Sequence, residues 1–167
     1  MQVTSAQANK LLKKLQQDSE ELLLHERQSS DFIAATTEDL ESARPPYNYR
    51  QTQEKLAELD RQIRVVKHAI SVFNLTHEVE GFGMTVDQLL VYIPQLTNRK
   101  NKLYSLANTL DKTRLTNSPR INLIEYRYAN YDVEQAKADY DQACEELARA
   151  QLALDRLNTT ELLEIDL

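Results

Sequence analysis

Three long stretches of the chain repeat apolar residues at alternating steps of three and four positions. They cover residues 56–73, 86–110 and 133–157. This spacing places the apolar side chains on one face of an α-helix, as in bundles whose helices cross at about 20°. With a shorter leucine stripe in residues 6–29, it predicts a mainly α fold: an antiparallel bundle of about four long helices, with two or three short β-strands at one end.

The composition supports this class of fold. Only 2 Gly and 4 Pro occur in 167 residues, which is too few turn formers for a barrel or sandwich of many short strands. We expect a single domain over residues 1–167. In it, residues 1–29 form a peripheral first helix, residues 30–50 an extended connector anchored by its tyrosines, and residues 51–167 the core.

Local signals predict where the elements begin and end. Thr85 and Gln88 have the spacing of a capping box, and Asp132 is a suitable cap for the last helix. Pro94 lies inside the third helix and predicts a kink or a broken turn. A turn is expected at residues 80–83, which include both glycines. Short strands are expected at residues 32–37 and 121–129, and the tail 163–167 is expected to pair with one of them.

Charge is unevenly distributed along the chain. The net charge is −6, but residues 98–127 carry 7 basic and 2 acidic side chains, and residues 132–167 carry 3 basic and 10 acidic ones. We expect the basic stretch to face the acidic helix, within or between subunits. A nucleic-acid or phosphate patch is the alternative, which the pI near 5.1 disfavours.

One segment combines tyrosine and arginine in an unusual density. Tyr126, Arg127, Tyr128 and Tyr131 lie close together in sequence, and such residues suit a recognition surface. They equally suit a short sheet whose tyrosines cover the end of the bundle, which is the interpretation we favour. A recognition surface would also include two residues of the basic stretch, Arg99 and Lys100.

Motifs for catalysis or metal binding are absent from the sequence. Di-iron bundles use Glu-x-x-His pairs, but none of the three histidines has a Glu three residues before it, and His68 is expected to be a solvated surface residue. Cys144, next to a core position, is expected to act as a small apolar residue. The sequence therefore predicts no enzyme, and no catalytic, metal or cofactor site.

No stretch of the sequence suits a membrane span. Residues 1–9 are polar, and the charge-free stretch after Asp87 has 11 residues, 88–98, whereas a bilayer span needs about 20 apolar residues. We expect a cytoplasmic protein.

From Pro45 onward, the chain carries several short motifs. The motifs are Pro46-Tyr47-Asn48-Tyr49, Ile63 with Lys67-His68-Ala69-Ile70 and Phe73-Asn74, Met84-Thr85-Val86-Asp87, Tyr92 with Gln95-Leu96 and Arg99, Tyr128-Ala129-Asn130-Tyr131-Asp132, and Ala153-Leu154-Asp155 with Asn158 and Glu161-Leu162. In these motifs the chain resembles the septicolysin-like family of bacterial helical proteins, most closely members from anaerobic Gram-positive bacteria. Two stretches, residues 74–77 and 157–162, depart from the family pattern, the second by lacking a Trp.

This resemblance implies a helical fold and homo-oligomers, but no reaction. Apolar positions beside the main stripe of the second helix, Val65, Ala69 and Val72, also predict self-association. We expect a non-enzymatic, self-assembling protein that acts through binding or assembly. The alternatives are a haemolysin-like membrane-active protein, which only the family name suggests, and a binder of a small ligand or nucleic acid that uses the Tyr/Arg segment.

Overall fold

The computed structural model describes residues 1–115 and 124–167, and two thirds of these residues are helical. The mainly α fold that the sequence predicts is confirmed. The helices are α1 (Ser5–Ser29), α2 (Leu40–Ala43), α3 (Tyr49–Thr76), α4 (Val86–Ala107) and α5 (Val133–Thr160). The strands are β1 (Gln2–Thr4), β2 (Glu78–Val79), β3 (Met84–Thr85), β4 (Lys112–Arg114), β5 (Tyr126–Tyr128) and β6 (Leu162–Glu164).

Within the described residues, the strands form three antiparallel ribbons of two strands each, β1–β6, β2–β3 and β4–β5. Residues 32–37 do not form the expected strand, because this segment is largely exposed and has no pairing partner among residues 1–115 and 124–167. The terminal strand exists, but it pairs with β1 rather than with residues 31–37 or 121–128. Of the strand expected at 121–129, β5 forms residues 126–128, and residues 121–123 lie outside the described part of the chain.

The chain divides into two compact units. The first, called the N-terminal unit, contains Met1–Thr76 and Leu157–Leu167, and the second, called the central unit, contains His77–Arg156. The single domain predicted over residues 1–167 stays a prediction.

In the N-terminal unit, α1 packs along α3. Glu26, in the last turn of α1, accepts hydrogen bonds of 2.7 Å from the Tyr47 hydroxyl and from the Gln53 side chain at the start of α3. Opposite ends of the two helices therefore meet, and the helices are antiparallel. Because Ala8 and Leu15 of α1 are buried, α1 contributes to the core of this unit and is not peripheral as expected.

In the central unit, the β2–β3 ribbon is a tight hairpin. Gly81 and Gly83 in its turn have φ values of 81° and 60°, a conformation that residues with a Cβ atom rarely adopt. This confirms the turn expected from the sequence. The predicted capping box at Thr85 also forms. The helix α4 continues through Pro94, so the turn there is not broken, and the kink that was the other expectation stays a prediction.

The buried positions largely follow the predicted stripes. Val66 and Phe73 of α3, and Leu89 and Leu96 of α4, are at most 2% exposed. In contrast, Leu110 is 68% exposed, because α4 ends before it.

The two units are built from equivalent pieces. In each, a strand ends in a threonine that caps the following helix, Thr4 before α1 and Thr85 before α4. Three residues later comes a glutamine, Gln7 or Gln88, whose backbone N–H donates to the threonine hydroxyl and whose side chain accepts from the threonine N–H. The two capping boxes lie 81 positions apart in the sequence.

Strand register and burial follow the same correspondence. Val3 pairs with Leu163 in the β1–β6 ribbon, and Met84 pairs with Val79 in the β2–β3 ribbon. Positions 81 apart in α1 and α4 are buried in both helices: Ser5 and Val86, Ala8 and Leu89, Leu15 and Leu96.

The second long helix of each unit repeats this likeness. Both α3 and α5 have 28 residues. Asn48 before α3 and Asp132 before α5 each accept a 3.1 Å hydrogen bond from the backbone N–H three residues later. The preceding residue is a tyrosine in both cases, Tyr47 or Tyr131, whose hydroxyl donates to the last turn of the preceding long helix. The chain thus contains an internal repeat that our sequence analysis missed.

Candidate functional site

The β4–β5 ribbon of the central unit carries an exposed face that mixes aromatic rings and cations. Lys112 pairs with Tyr128, and Arg114 pairs with Tyr126. Directly opposed residues of antiparallel strands share a face, and so do alternate residues along each strand. These four side chains therefore lie on one side of the ribbon, which we call the tyrosine–cation face.

Lys112 contacts both tyrosine rings of this face. Its Nζ atom lies 4.1 Å from the ring centroid of Tyr126 and 5.5 Å from that of Tyr128. The two ring centroids are 6.3 Å apart. Tyr126 remains 40% exposed and Tyr128 63% exposed. Cation–π attraction at exposed sites is worth about 0.5–1 kcal/mol, so the ammonium group orders the two rings while leaving them accessible.

Backbone and side-chain hydrogen bonds tie the ribbon to the rest of the central unit. The Ala129 N–H donates at 3.0 Å to the carbonyl of Asp111, four residues after the end of α4. The Tyr131 hydroxyl donates to the carbonyl of Leu106 in the last turn of α4, also at 3.0 Å. Both contacts place the ribbon at the C-terminal end of α4.

The structure brings together only some of the residues predicted for a recognition surface. Tyr126 and Tyr128 share the tyrosine–cation face, whereas Arg127 points to the other side of the ribbon, opposite Thr113. Tyr131 is an anchor rather than a member of the face.

The two predicted recognition residues of α4 lie elsewhere. Arg99 is exposed and Lys100 is half-buried, about two turns before the end of the helix. Sequence analysis missed Lys112 and Arg114, although the alternation in Lys112-Thr113-Arg114 matches that of Tyr126-Arg127-Tyr128 and could have indicated the pairing.

Arg99 lies near a polar pair that joins α4 to α5. The Tyr92 hydroxyl donates to Oε1 of Glu146 at 2.5 Å. This hydrogen bond, together with burial, raises the pKa of Tyr92, and the positive charges of Arg99 and Arg149 oppose the shift. Arg149 also lies over the ring of Phe82, 5.3 Å from its centroid. The pair therefore fixes the side-chain packing between the two helices.

The N-terminal unit contains a groove between α1 and α3 with a volume of about 730 Å³. Its apolar part comes from Leu22 and Leu59. Four of its eight polar rim residues are acidic and one, Lys55, is basic, and we call it the acidic groove. The rim residues are Asp18, Glu21, His25, Gln51, Glu54, Lys55, Glu58 and Gln62.

Two of the groove carboxylates are already paired within α3. Glu58 accepts hydrogen bonds from Arg61 and Gln62, which lower its pKa to about 2. Glu54 pairs with Arg50 at 3.0 Å. Asp18 and Glu21 of α1 make no ion pair with the described part of the chain, so their charge is available to a partner.

Within residues 1–115 and 124–167, no three His, Cys, Asp or Glu side chains are grouped so that they could hold a metal ion. His68 is exposed, as expected for a solvated surface histidine. Cys144 is half-buried, and hydrogen bonding with it, together with burial, raises the pKa of Tyr140.

Among the described residues, we find no helix that combines the length and the apolar character needed to cross a bilayer.

We compared the chain with known proteins. No family model matches it, and the curated proteins contain no match to it. Among solved structures, it is similar to the crystal structure of a functionally unknown conserved protein from Corynebacterium diphtheriae. The match covers 98% of this chain and 100% of the other, with 21% sequence identity and a TM-score of 0.63. At this identity, the likeness shows a shared fold.

Proposed function

We propose that this protein is a non-enzymatic binding protein that self-associates, and that the tyrosine–cation face forms one side of the contact. The observation that carries the proposal is the exposure of this face. Both tyrosines remain accessible, and both cations are exposed. Membership of the septicolysin-like family belongs to the same proposal, and it brings no activity with it.

The chemistry of the face suits protein recognition. Tyr and Arg are enriched in interfaces, and tyrosine supplies a large contact area with few rotatable bonds. Because Lys112 lies against both rings, part of the ordering that binding requires is already present in the free molecule.

The charge distribution favours a second copy of the chain as the partner. Residues 98–127, which include β4, have a net charge of +5, whereas residues 132–167 have a net charge of −7. Surfaces of opposite charge on two copies of one protein attract each other and fix the orientation of the contact. The cytoplasm is the expected location, since a lone cysteine needs no oxidising compartment.

Light scattering on a sizing column tests the proposal. We expect an oligomer at low salt whose mass decreases towards the 19.3 kDa of the single chain as salt screens the charges. A single-chain mass at every salt concentration, with protein in the micromolar range, would refute self-association.

A variant with both Tyr126→Ser and Tyr128→Ser tests the face itself. We expect the dissociation constant to rise about tenfold or more, because truncation of a central aromatic residue in an interface typically costs more than 1 kcal/mol. Tyr49→Ser is the matched control, since Tyr49 is 68% exposed and lies in α3. Equal affinities of both variants and the wild type would exclude the tyrosine–cation face as the contact.

Two further assays distinguish the alternatives. Dye release from liposomes would indicate a membrane-active protein, and a salt-dependent mobility shift of labelled RNA or DNA would indicate a nucleic-acid binder. Specific hydrolysis of a nucleotide or an ester would contradict the non-enzymatic proposal. We expect none of these activities.

A further inference from the structure

The two units carry opposite charges at one equivalent place. Residues 18–21 of α1 read Asp-Ser-Glu-Glu, and residues 99–102 of α4, 81 positions later, read Arg-Lys-Asn-Lys. The first segment has three carboxylates and the second has three cationic groups. Because the capping boxes and buried positions of α1 and α4 correspond, each segment begins the same number of residues after the capping threonine of its helix.

The acidic groove has the shape and chemistry to receive a helix. It lies between two antiparallel helices, has apolar side chains in Leu22 and Leu59, and is bordered by carboxylates. Grooves of this kind bind an amphipathic helix through residues spaced three or four apart. On the rim, Asp18 and Glu21 have this spacing and bring two charges that the described chain leaves without an ion pair.

The basic segment of α4, residues 99–102, is accessible. Arg99 and Lys102 are exposed, and their spacing of three places them on the same side of the helix. Neither forms an ion pair with the residues that the structure describes. Two uncompensated cations therefore project from this helix at the spacing of the two carboxylates on the groove.

We propose that the acidic groove of one molecule binds the basic segment of α4 from a second copy. This inference rests on the self-association proposed above, and it assigns the acidic groove and the basic segment of α4 to that contact in addition to the tyrosine–cation face. Since the groove and the segment are different surfaces, each molecule offers one of each. Such a contact repeats from copy to copy and produces a ring or a chain instead of a symmetric pair.

Charge reversal on either side tests the contact. The groove variant carries Asp18→Lys and Glu21→Lys, and the segment variant carries Arg99→Glu and Lys102→Glu. Each variant alone places like charges on the two surfaces, so we expect each to run at the single-chain mass at low salt. Circular dichroism confirms that each remains helical.

The decisive measurement is the mixture of the two variants. In the mixture, the native groove of the segment variant can bind the native α4 of the groove variant. In the other contact, the charges of both surfaces are reversed, so these surfaces also attract each other. We expect the equimolar mixture to regain a mass above that of one chain. No simple loss of folding in either variant reproduces this recovery.

Two control variants with the same change in net charge show whether the oligomer is lost because the contact is broken or because the net charge of the molecule has changed. They are Asp31→Lys with Asp60→Lys, and Lys10→Glu with Lys13→Glu, all exposed and outside both surfaces. We expect the controls to retain the wild-type mass. If the wild type is an oligomer and both reversal variants keep its mass, or if the mixture stays monomeric, the groove contact is wrong and self-association stands. A monomeric wild type removes both proposals.

Discussion

The N-terminal unit and the central unit share a local framework but differ in what they present to solvent. Each joins a capped first helix to a capped second helix and a two-stranded ribbon of the same register. Their first helices carry opposite charges at equivalent positions, and only the central unit has the β4–β5 ribbon between its long helices among the described residues. Caps, strand register and buried positions therefore define the shared framework, whereas the exposed positions differ between the two units.

Truncation of the equivalent core leucines is the strongest test of this likeness. Leu15 is 7% exposed and Leu96 is 2% exposed. Leu15→Ala and Leu96→Ala should each lower the free energy of unfolding by about 2–5 kcal/mol, because each removes buried methyl groups and leaves a cavity. Urea unfolding followed by circular dichroism measures both. A large loss in only one variant would show that the two positions are equivalent in sequence but not in packing.

The stability of the β2–β3 ribbon should depend on the glycines of its turn, whereas the β1–β6 ribbon contains no glycine. Gly81→Ala should cost about 1–2 kcal/mol, because its φ of 81° is unfavourable for a residue with a Cβ atom. No atom lies within 4 Å of the added Cβ, so the penalty comes from the backbone alone, and Gly81→Asn should lose less. Thermal unfolding measures the difference. Equal losses for alanine and asparagine would contradict a backbone origin.

Removal of the caps should affect both units alike. Thr4→Ala and Thr85→Ala should each cost about 1 kcal/mol, since each removes the acceptor for one N-terminal backbone N–H. The double variant should show the sum, because the two caps have separate partners. Thr36→Ala is a suitable control, since Thr36 is exposed and lies outside the helices. A double variant no less stable than either single one would show that the two caps do not act independently.

The smallest effect is a pH dependence of the contact between Tyr47 and Glu26 in the N-terminal unit. The hydrogen bond to Glu26 raises the pKa of Tyr47 to about 12, from an ordinary value of 10.0. The neutral phenol is therefore favoured in the folded state. Its contribution to stability is complete below pH 10 and is lost as the pH rises towards 12.

Thermal unfolding of the wild type and Tyr47→Phe across this pH range tests the assignment. We expect the difference between the two melting temperatures to shrink above pH 10, whereas Tyr131→Phe should keep the alkaline decline of the wild type. A constant difference between wild type and Tyr47→Phe at all pH values would exclude the titration of Tyr47 as its cause.

Much of the helical framework could be predicted from the sequence because its signals are local. The apolar stripes, the Thr85 capping box and the Asp132 cap each act over a few residues. The partner of β6 could not be predicted, because β1 lies at the other end of the chain and has only three residues. The segment 32–37 has strand-like composition but no partner in the described part of the chain, and composition alone does not form a ribbon.

The candidate site was predicted in part. Tyr126 and Tyr128 were found through their density, but Lys112 becomes their neighbour only through strand pairing. The internal repeat left a readable signal: Thr-x-x-Gln at residues 4–7 and 85–88, and a tyrosine before each cap. The identities are few because the buried positions exchange freely among small and large apolar residues, such as Ala8 for Leu89.

The pairing of β1 with β6 has a consequence for the order in which the molecule is completed during synthesis. The β2–β3 hairpin can close as soon as residue 85 has left the ribosome, whereas β1 emerges first and must wait for residues 162–164. The unit that contains the earliest residues is therefore the one whose ribbon closes last. Until β6 has been synthesised, the backbone N–H and C=O groups of β1 lack their partner strand. In a nascent or truncated chain, β1 can therefore pair with strands of other chains.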